Sequence, residues 1–172
     1  MKLSDELAKN WPIPDAYLIE LGRMSALWAS LEGVLNLGIG KLAGFENLSD
    51  PTPFILLAHA SFPQRLDMLG TLCEQLSPHA PHLGQYKEAI SQLRSAQQSR
   101  NRYAHNGMHY EQGVCYISEG SARGKLKVSV TPVTVEELRS VSESIHVAML
   151  ALHKLITGQA YPPLWERDGN PL

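Results

Sequence analysis

The chain lacks most features that would mark a special class of protein. It has only two cysteines in 172 residues, Cys73 and Cys115, far apart and outside any metal-ligand spacing. A disulfide-dense scaffold and a cysteine-held zinc are therefore excluded, which leaves one disulfide or two free cytosolic thiols, the latter favoured. Charge of one sign is missing as well. Fifteen Lys and Arg stand against 17 Asp and Glu, a net −2, so a uniformly basic nucleic-acid-binding surface is excluded while a local basic patch is not. There is no long apolar run. The most apolar stretch, Tyr17 to Leu42, is broken by Glu20, Arg23, Glu32, Asn36 and Lys41, which rules it out as a bilayer span. The opening residues Met1 to Glu6 do not read as a signal peptide, and the expected location is the cytoplasm. No glycine-rich phosphate loop follows a strand, no nucleophile elbow surrounds a Ser or Cys, and no internal repeat is visible.

What is present is a folded domain's composition, 44% hydrophobic and 19% charged, in a chain long enough to bury one core without staples. The pattern is mainly helical. Asp15 is positioned to cap a helix to about Leu42, along which Leu21, Met24, Trp28, Leu31 and Leu35 recur at helical spacing. Leu27, Val34, Leu37 and Ile39 widen this stripe enough for burial on two sides, by its own domain and by a second subunit. A short helix is expected over Pro53 to His59. A second long one should start at Ser61 and end at Leu76, and a third should run from Pro81 or His82 to near His105. Met108 to Ser118 and Lys125 to Val133 read as two strands of a β-hairpin joined by Glu119 to Gly124. Thr134-Val135-Glu136-Glu137 has capping-box spacing and opens the last helix, which Gly158 closes. The chain thus reads as a single domain over 1–172. Four main helices form a bundle (core about 15–157), a β-hairpin (about 108–133) precedes the last helix, and the tail 158–172 is irregular.

Chemistry concentrates late in the third long helix. Residues 85–105 carry Lys87, Arg94, Arg100 and Arg102 against Glu88 alone, whereas residues 1–50 carry four bases and seven acids. Projected at about 100° per residue, Arg100 falls in the apolar arc of Leu93 and Ala104, while Arg94, Gln98, Asn101 and His105 gather on the adjoining polar edge. A guanidinium leaving an apolar face requires compensation. Glu32, another internal carboxylate and a ligand phosphate are all candidates.

Arg100-Asn101-Arg102-Tyr103-Ala104-His105 resembles the signature of HEPN domains, in which an Arg, a polar residue and, after a short gap, a His lie late in the third main helix of a bundle. The resemblance covers roughly residues 15–157 in layout. It implies a metal-independent endoribonuclease that needs no cofactor. Two subunits pair so that their motifs face one cleft, making a homodimer with the active site at the interface. The RNA 2′-hydroxyl attacks the adjacent phosphorus and leaves a 2′,3′-cyclic phosphate and a 5′-hydroxyl. His105 would move protons, Arg100 would stabilise the transition-state charge, and Asn101 would orient the imidazole or hold a phosphate oxygen. The family context implies a toxin or phage-defence role, with an antitoxin protein as a partner. The alternative is a non-catalytic HEPN-like dimerisation, interaction or nucleic-acid-binding protein in which Arg100 only braces the bundle.

Around this motif, Arg94 and Arg102 are candidates for RNA phosphate contacts, against a reading of both as solvated side chains. Glu32 is a candidate supporting residue that pairs with Arg100 or positions His105; a helix-pairing or surface role fits its position equally well. The spacings His79-x-x-His82 and His105-x-x-x-His109 lack accompanying Cys or carboxylate ligands, so no metal site is assigned. Gly33, Gly38 and Gly40 sit in a helical pattern and are expected to allow close helix approach.

Overall fold

A computed structural model describes residues 3–47, 49–121, 124–163 and 166, without the side chains of Ser4, Leu7 and Ala8. The helices are α1 (Leu3–Asn10), α2 (Asp15–Leu42), α3 (Thr52–Leu57), α4 (Phe62–Leu76), α5 (Tyr86–Ala104) and α6 (Val135–Thr157). A 3-10 turn, Pro81–Gln85, leads into α5. Strands β1 (Gly107–Glu111), β2 (Val114–Ser121) and β3 (Lys127–Val133) lie between α5 and α6. No described helix is long and apolar enough to cross a membrane.

Local chemistry explains the boundaries. Ser61 and Gln64 close a reciprocal capping box at the start of α4, and Thr134 and Glu137 close another at α6. Gly158, at φ 72°, ends α6 in the left-handed conformation that a β-carbon disfavours. Asp15 does not cap α2 as expected. It lies inside the first turn, Pro14 occupies the cap position, and no side chain caps the helix. Helix α1 was not foreseen, because eight largely polar residues give too weak a periodic signal.

Helices α2, α4, α5 and α6 form the bundle. Contacts between Glu20 and Arg139, and a close approach of Gly38 to Ile156, run α2 and α6 in the same direction. The Asp67–Arg94 and Glu74–Tyr86 pairs run α5 against α4. Leu31, Leu35, Leu66, Leu69, Leu93, Ile145, Met149 and Leu152 are fully or almost fully buried between them. Each contributes about 1.5–3 kcal/mol relative to exposure. A β-carbon added at Gly38 would collide with Ile156 Cδ1, and one at Gly40 would lie 2.8 Å from the Pro53 ring. Those two glycines permit close packing as expected, whereas Gly33 has nothing within 4 Å of a built β-carbon.

Glu20 is buried between α2 and α6 and accepts hydrogen bonds from Arg23 and from Arg139, the latter at 3.2 Å. The Arg23 bond, helped by Arg139, outweighs burial and holds the carboxyl below its ordinary range. Cys73 and Cys115 are both free and buried. Burial pushes the Cys73 thiol up to about 11, leaving it an inert core residue.

The expected hairpin is a three-stranded antiparallel meander, in the order β1-β2-β3. The segment read as one strand over Met108–Ser118 folds back at Gln112 (φ 50°) and Gly113 (φ 85°). Two successive positive φ values make the tight turn that matches strand twist, and a Gln in the first position hides it from a search for Asn-Gly or Asp-Gly. The sheet rests one face on the bundle. Cys115, Ile117 and Val133 are buried, and Tyr17 donates its hydroxyl to the Val133 carbonyl at 3.2 Å.

Candidate functional site

The last turn of α5 carries Arg100, Asn101, Arg102 and Tyr103, and His105 is its C-terminal cap, its N–H bonded to the Asn101 carbonyl at 3.2 Å. Both ends of the motif thus sit on one rigid helical turn. Arg100 Nη1 lies 3.2 Å from Asn101 Oδ1 and 3.4 Å from His105 Nε2. Donation to Nε2 requires the imidazole tautomer that carries its proton on Nδ1. The Arg100 guanidinium lies over the Trp28 ring, 5.3 Å from its centroid. Trp28, buried in α2, packs on Phe62 of α4 with ring centroids 4.6 Å apart. Arg100 is half-buried and His105 exposed.

The compensation that Arg100 requires therefore comes from a π face and an amide oxygen. No salt bridge to Arg100 forms among the described residues. Glu32 is engaged elsewhere: Arg65 of α4 takes it at 3.5 Å and donates its Nε to the Ala60 carbonyl at 3.0 Å. The pairing of Glu32 with Arg100 or His105 is thus replaced by a tie between α2 and α4, one turn along from the Trp28–Phe62 contact. No spacing in the sequence links Arg65 to Glu32, since only the crossing of α2 and α4 sets the two side chains opposite each other.

Arg102, two residues from Arg100, faces the sheet. Its Nε binds Glu119 Oε2 at 3.1 Å, its Nη2 donates to Thr131 Oγ1 at 2.9 Å and its Nη1 to the Tyr103 hydroxyl at 3.4 Å. All three nitrogens are occupied, so Arg102 fastens β2 and β3 to α5 rather than presenting a free cation. Burial raises the Tyr103 hydroxyl above its ordinary range, with Arg102 pulling against it. Arg94 lies about 9 Å back along the helix axis from Arg100 and is paired with Asp67 of α4 at 2.8 Å, both side chains exposed. The structure thus brings together Arg100, Asn101 and His105. It adds Trp28 and Phe62 beneath them and leaves Arg94, Arg102 and Glu32 with other partners.

Cavities of about 390, 610 and 430 Å³ lie at the far end of α5 and α6, between α2, α3 and α4, and between α4 and α5. None of the three is lined by Arg100, Asn101 or His105. Among the described residues no three His, Cys, Asp or Glu side chains converge where they could hold a metal ion. No family model, curated protein or solved structure matches the chain. What the site does must therefore be argued from its own chemistry.

Proposed function

We propose that the chain is a metal-independent endoribonuclease of HEPN type, acting as a homodimer. The observation that carries this reading is an exposed imidazole held 3.4 Å from a guanidinium that has no carboxylate partner among the described residues. A saturated arginine has nothing left for a phosphate; Arg100 keeps donors available beside an imidazole, a side chain suited to general acid–base work. RNA brings its own nucleophile, so His105 deprotonates the 2′-hydroxyl or protonates the 5′-leaving oxygen. Arg100 stabilises the charge gathering on the phosphoryl oxygens. Asn101, bonded to Arg100, keeps the fork oriented. One copy offers an open surface and one imidazole. A second copy facing it closes a cleft and supplies the second acid–base group. The cytoplasm, and a toxin or phage-defence system with an antitoxin partner, complete the proposal.

The test is cleavage of RNA by the purified chain in EDTA, with analysis of the ends. The expected products carry 2′,3′-cyclic phosphate and 5′-hydroxyl termini, and His105→Ala is expected to abolish cleavage while leaving the circular dichroism spectrum unchanged. Equal cutting by wild type and variant would overturn the assignment. A second reading has its own support: the Trp28 ring and Asn101 already engage Arg100, as they would in a bundle that uses the motif only as a brace. In that case Arg100→Ala lowers the melting temperature markedly and no cleavage exists to be lost.

A further inference from the structure

The side chains beneath Arg100 come from α2 and α4 in matched pairs. Trp28 and Glu32 lie one turn apart on α2, and Phe62 and Arg65 lie about one turn apart on α4, so each pair shares a face of its helix. Trp28 packs on Phe62 with ring centroids 4.6 Å apart, and Glu32 meets Arg65 at 3.5 Å. Arg100 sits over the first of these contacts, its guanidinium carbon 5.3 Å from the centre of the Trp28 ring. Glu32 is therefore a carboxylate one helical turn from the ring that Arg100 covers, a natural place for a counter-ion. It is turned to α4 instead. Arg65 holds it there through a side chain only 14% exposed, itself fixed by the Nε–H bond to the Ala60 carbonyl at 3.0 Å.

The choice of ring over carboxylate has a chemical consequence. A carboxylate on Arg100 would take two N–H groups at once and cancel the charge. An aromatic ring draws the same cation through its π face and offers no lone pair to the in-plane donors. Nη1 of Arg100 is engaged by Asn101 and His105, while Nε and Nη2 have no partner among the described residues. Those two nitrogens form an edge on which a phosphate can be held by two parallel bonds.

We propose that Trp28 and Arg65 are positioning residues for Arg100: the ring seats the guanidinium, and Arg65 withholds Glu32, so that the Nε–Nη2 edge stays open for a phosphate group. The inference rests on the ribonuclease reading and names the two side chains that keep its arginine available. Neither acts on the substrate itself. Once Arg65 is removed, Glu32 lacks a counter-charge, and Arg100 is the cation lying over the neighbouring turn of the same helix face.

The test is a rescue. Rates of single-stranded RNA cleavage in EDTA are compared for the full-length wild type, Arg65→Met, Glu32→Gln and Arg65→Met/Glu32→Gln, each checked for folding by circular dichroism. Arg65→Met is expected to lose at least about tenfold, because a charge-assisted pair now competes with phosphate for Arg100. Glu32→Gln should cut as wild type does, and the double variant should recover that rate although its α2–α4 tie is gone. A purely structural role predicts the opposite order, with the double variant at or below the worse single one. Trp28→Leu, which stays apolar but has no π face, should lose about tenfold, and Trp28→Phe should keep more of the rate. Each arm stands if a variant of the other fails to fold. A second readout needs no cleavage: inorganic phosphate is titrated while the Arg100 Nε–H resonance is followed by NMR. Saturable movement in the wild type, weakened at least about tenfold in Arg65→Met and restored by Glu32→Gln, supports the proposal. Full cutting or full phosphate binding by folded Arg65→Met and Trp28→Leu overturns it, as does a loss in Arg65→Met that Glu32→Gln fails to restore. Phosphate binding with this pattern in a chain that cuts no RNA would keep the positioning and remove the ribonuclease. Cutting that ignores all the variants would do the reverse.

Discussion

Arg100 and Arg102 stand two residues apart on the last turn of α5, and their surroundings treat them in opposite ways. Arg102 turns to the sheet and finds a carboxylate, a hydroxyl and a phenol, one for each nitrogen. Arg100 turns to α2 and finds the Trp28 ring, an amide oxygen and an imidazole. The same side chain is a fastener in one place and an unspent cation in the other. What separates them is not burial, since both are half-buried, but whether an anion was folded into reach.

The sharpest way to break this comparison is to remove each partner in turn. His105→Ala and Arg100→Ala should each lower RNA cleavage by about 10²-fold or more, the scale of a lost acid–base or charge-stabilising group, while amide exchange in the sheet stays unchanged. Arg102→Ala should act the other way round. It is expected to cost about 1–3 kcal/mol of stability, read by denaturant titration, and to speed exchange in β2 and β3, with any effect on cleavage following from the loosened sheet. A lysine at 102 should restore little, because a single ammonium cannot reach Glu119 and Thr131 in the geometry of a fork.

The difference between the two arginines was only half visible in the sequence. Arg100, Asn101 and His105 could be grouped because they share one helix, where spacing alone fixes their neighbourhood. The partners of Arg102 come from β2 and β3, and the strand that was read as continuous over Met108–Ser118 turns back at Gln112 and Gly113. Without that turn the sheet has the wrong number of strands, and no reading of residues could set Glu119 and Thr131 opposite α5. Between the two roles open to Glu32 the sequence could not choose for a similar reason: the helix-pairing one depends on how α2 and α4 cross and bring Arg65 to it. The four long helices were legible through their apolar spacing and through the Ser61, Thr134–Glu137 and Gly158 signals, all of them local. In β3 the alternating Val128 and Val130 face away from the core, which a period of two cannot decide by itself.

Glu20 offers a second contrast, a buried carboxylate that has what Arg100 lacks. Glu20→Gln should cost about 1–3 kcal/mol at neutral pH, since two charge-assisted bonds joining α2 to α6 are weakened. The carboxyl is held below its ordinary value of 4.5 in the folded chain, so its contribution is complete above that value. It fades as pH falls through the lowered folded value, because the unfolded chain then binds the proton more readily. Denaturant midpoints of wild type and variant should therefore converge on acidification, and a gap that stays constant with pH would show that the charge is not what stabilises.

Arg94 should give the smallest effect, and it tests where the cationic surface stops. Its partner Asp67 is 2.8 Å away, but both side chains are largely in water, so Arg94→Ala should change stability by less than about 0.5 kcal/mol. If Arg94 contacted a phosphate of bound RNA, its removal would lower the slope of log affinity against log salt by about 0.7, the single-strand value per phosphate. Asp67 competes for the same guanidinium, and the side chain projects toward α4 about a turn and a half from Arg100. The expected slope is therefore that of the wild type. A fall of the full single-phosphate amount would extend the RNA path along the α4–α5 groove and make Arg94 a working cation like Arg100, rather than a paired one like Arg102.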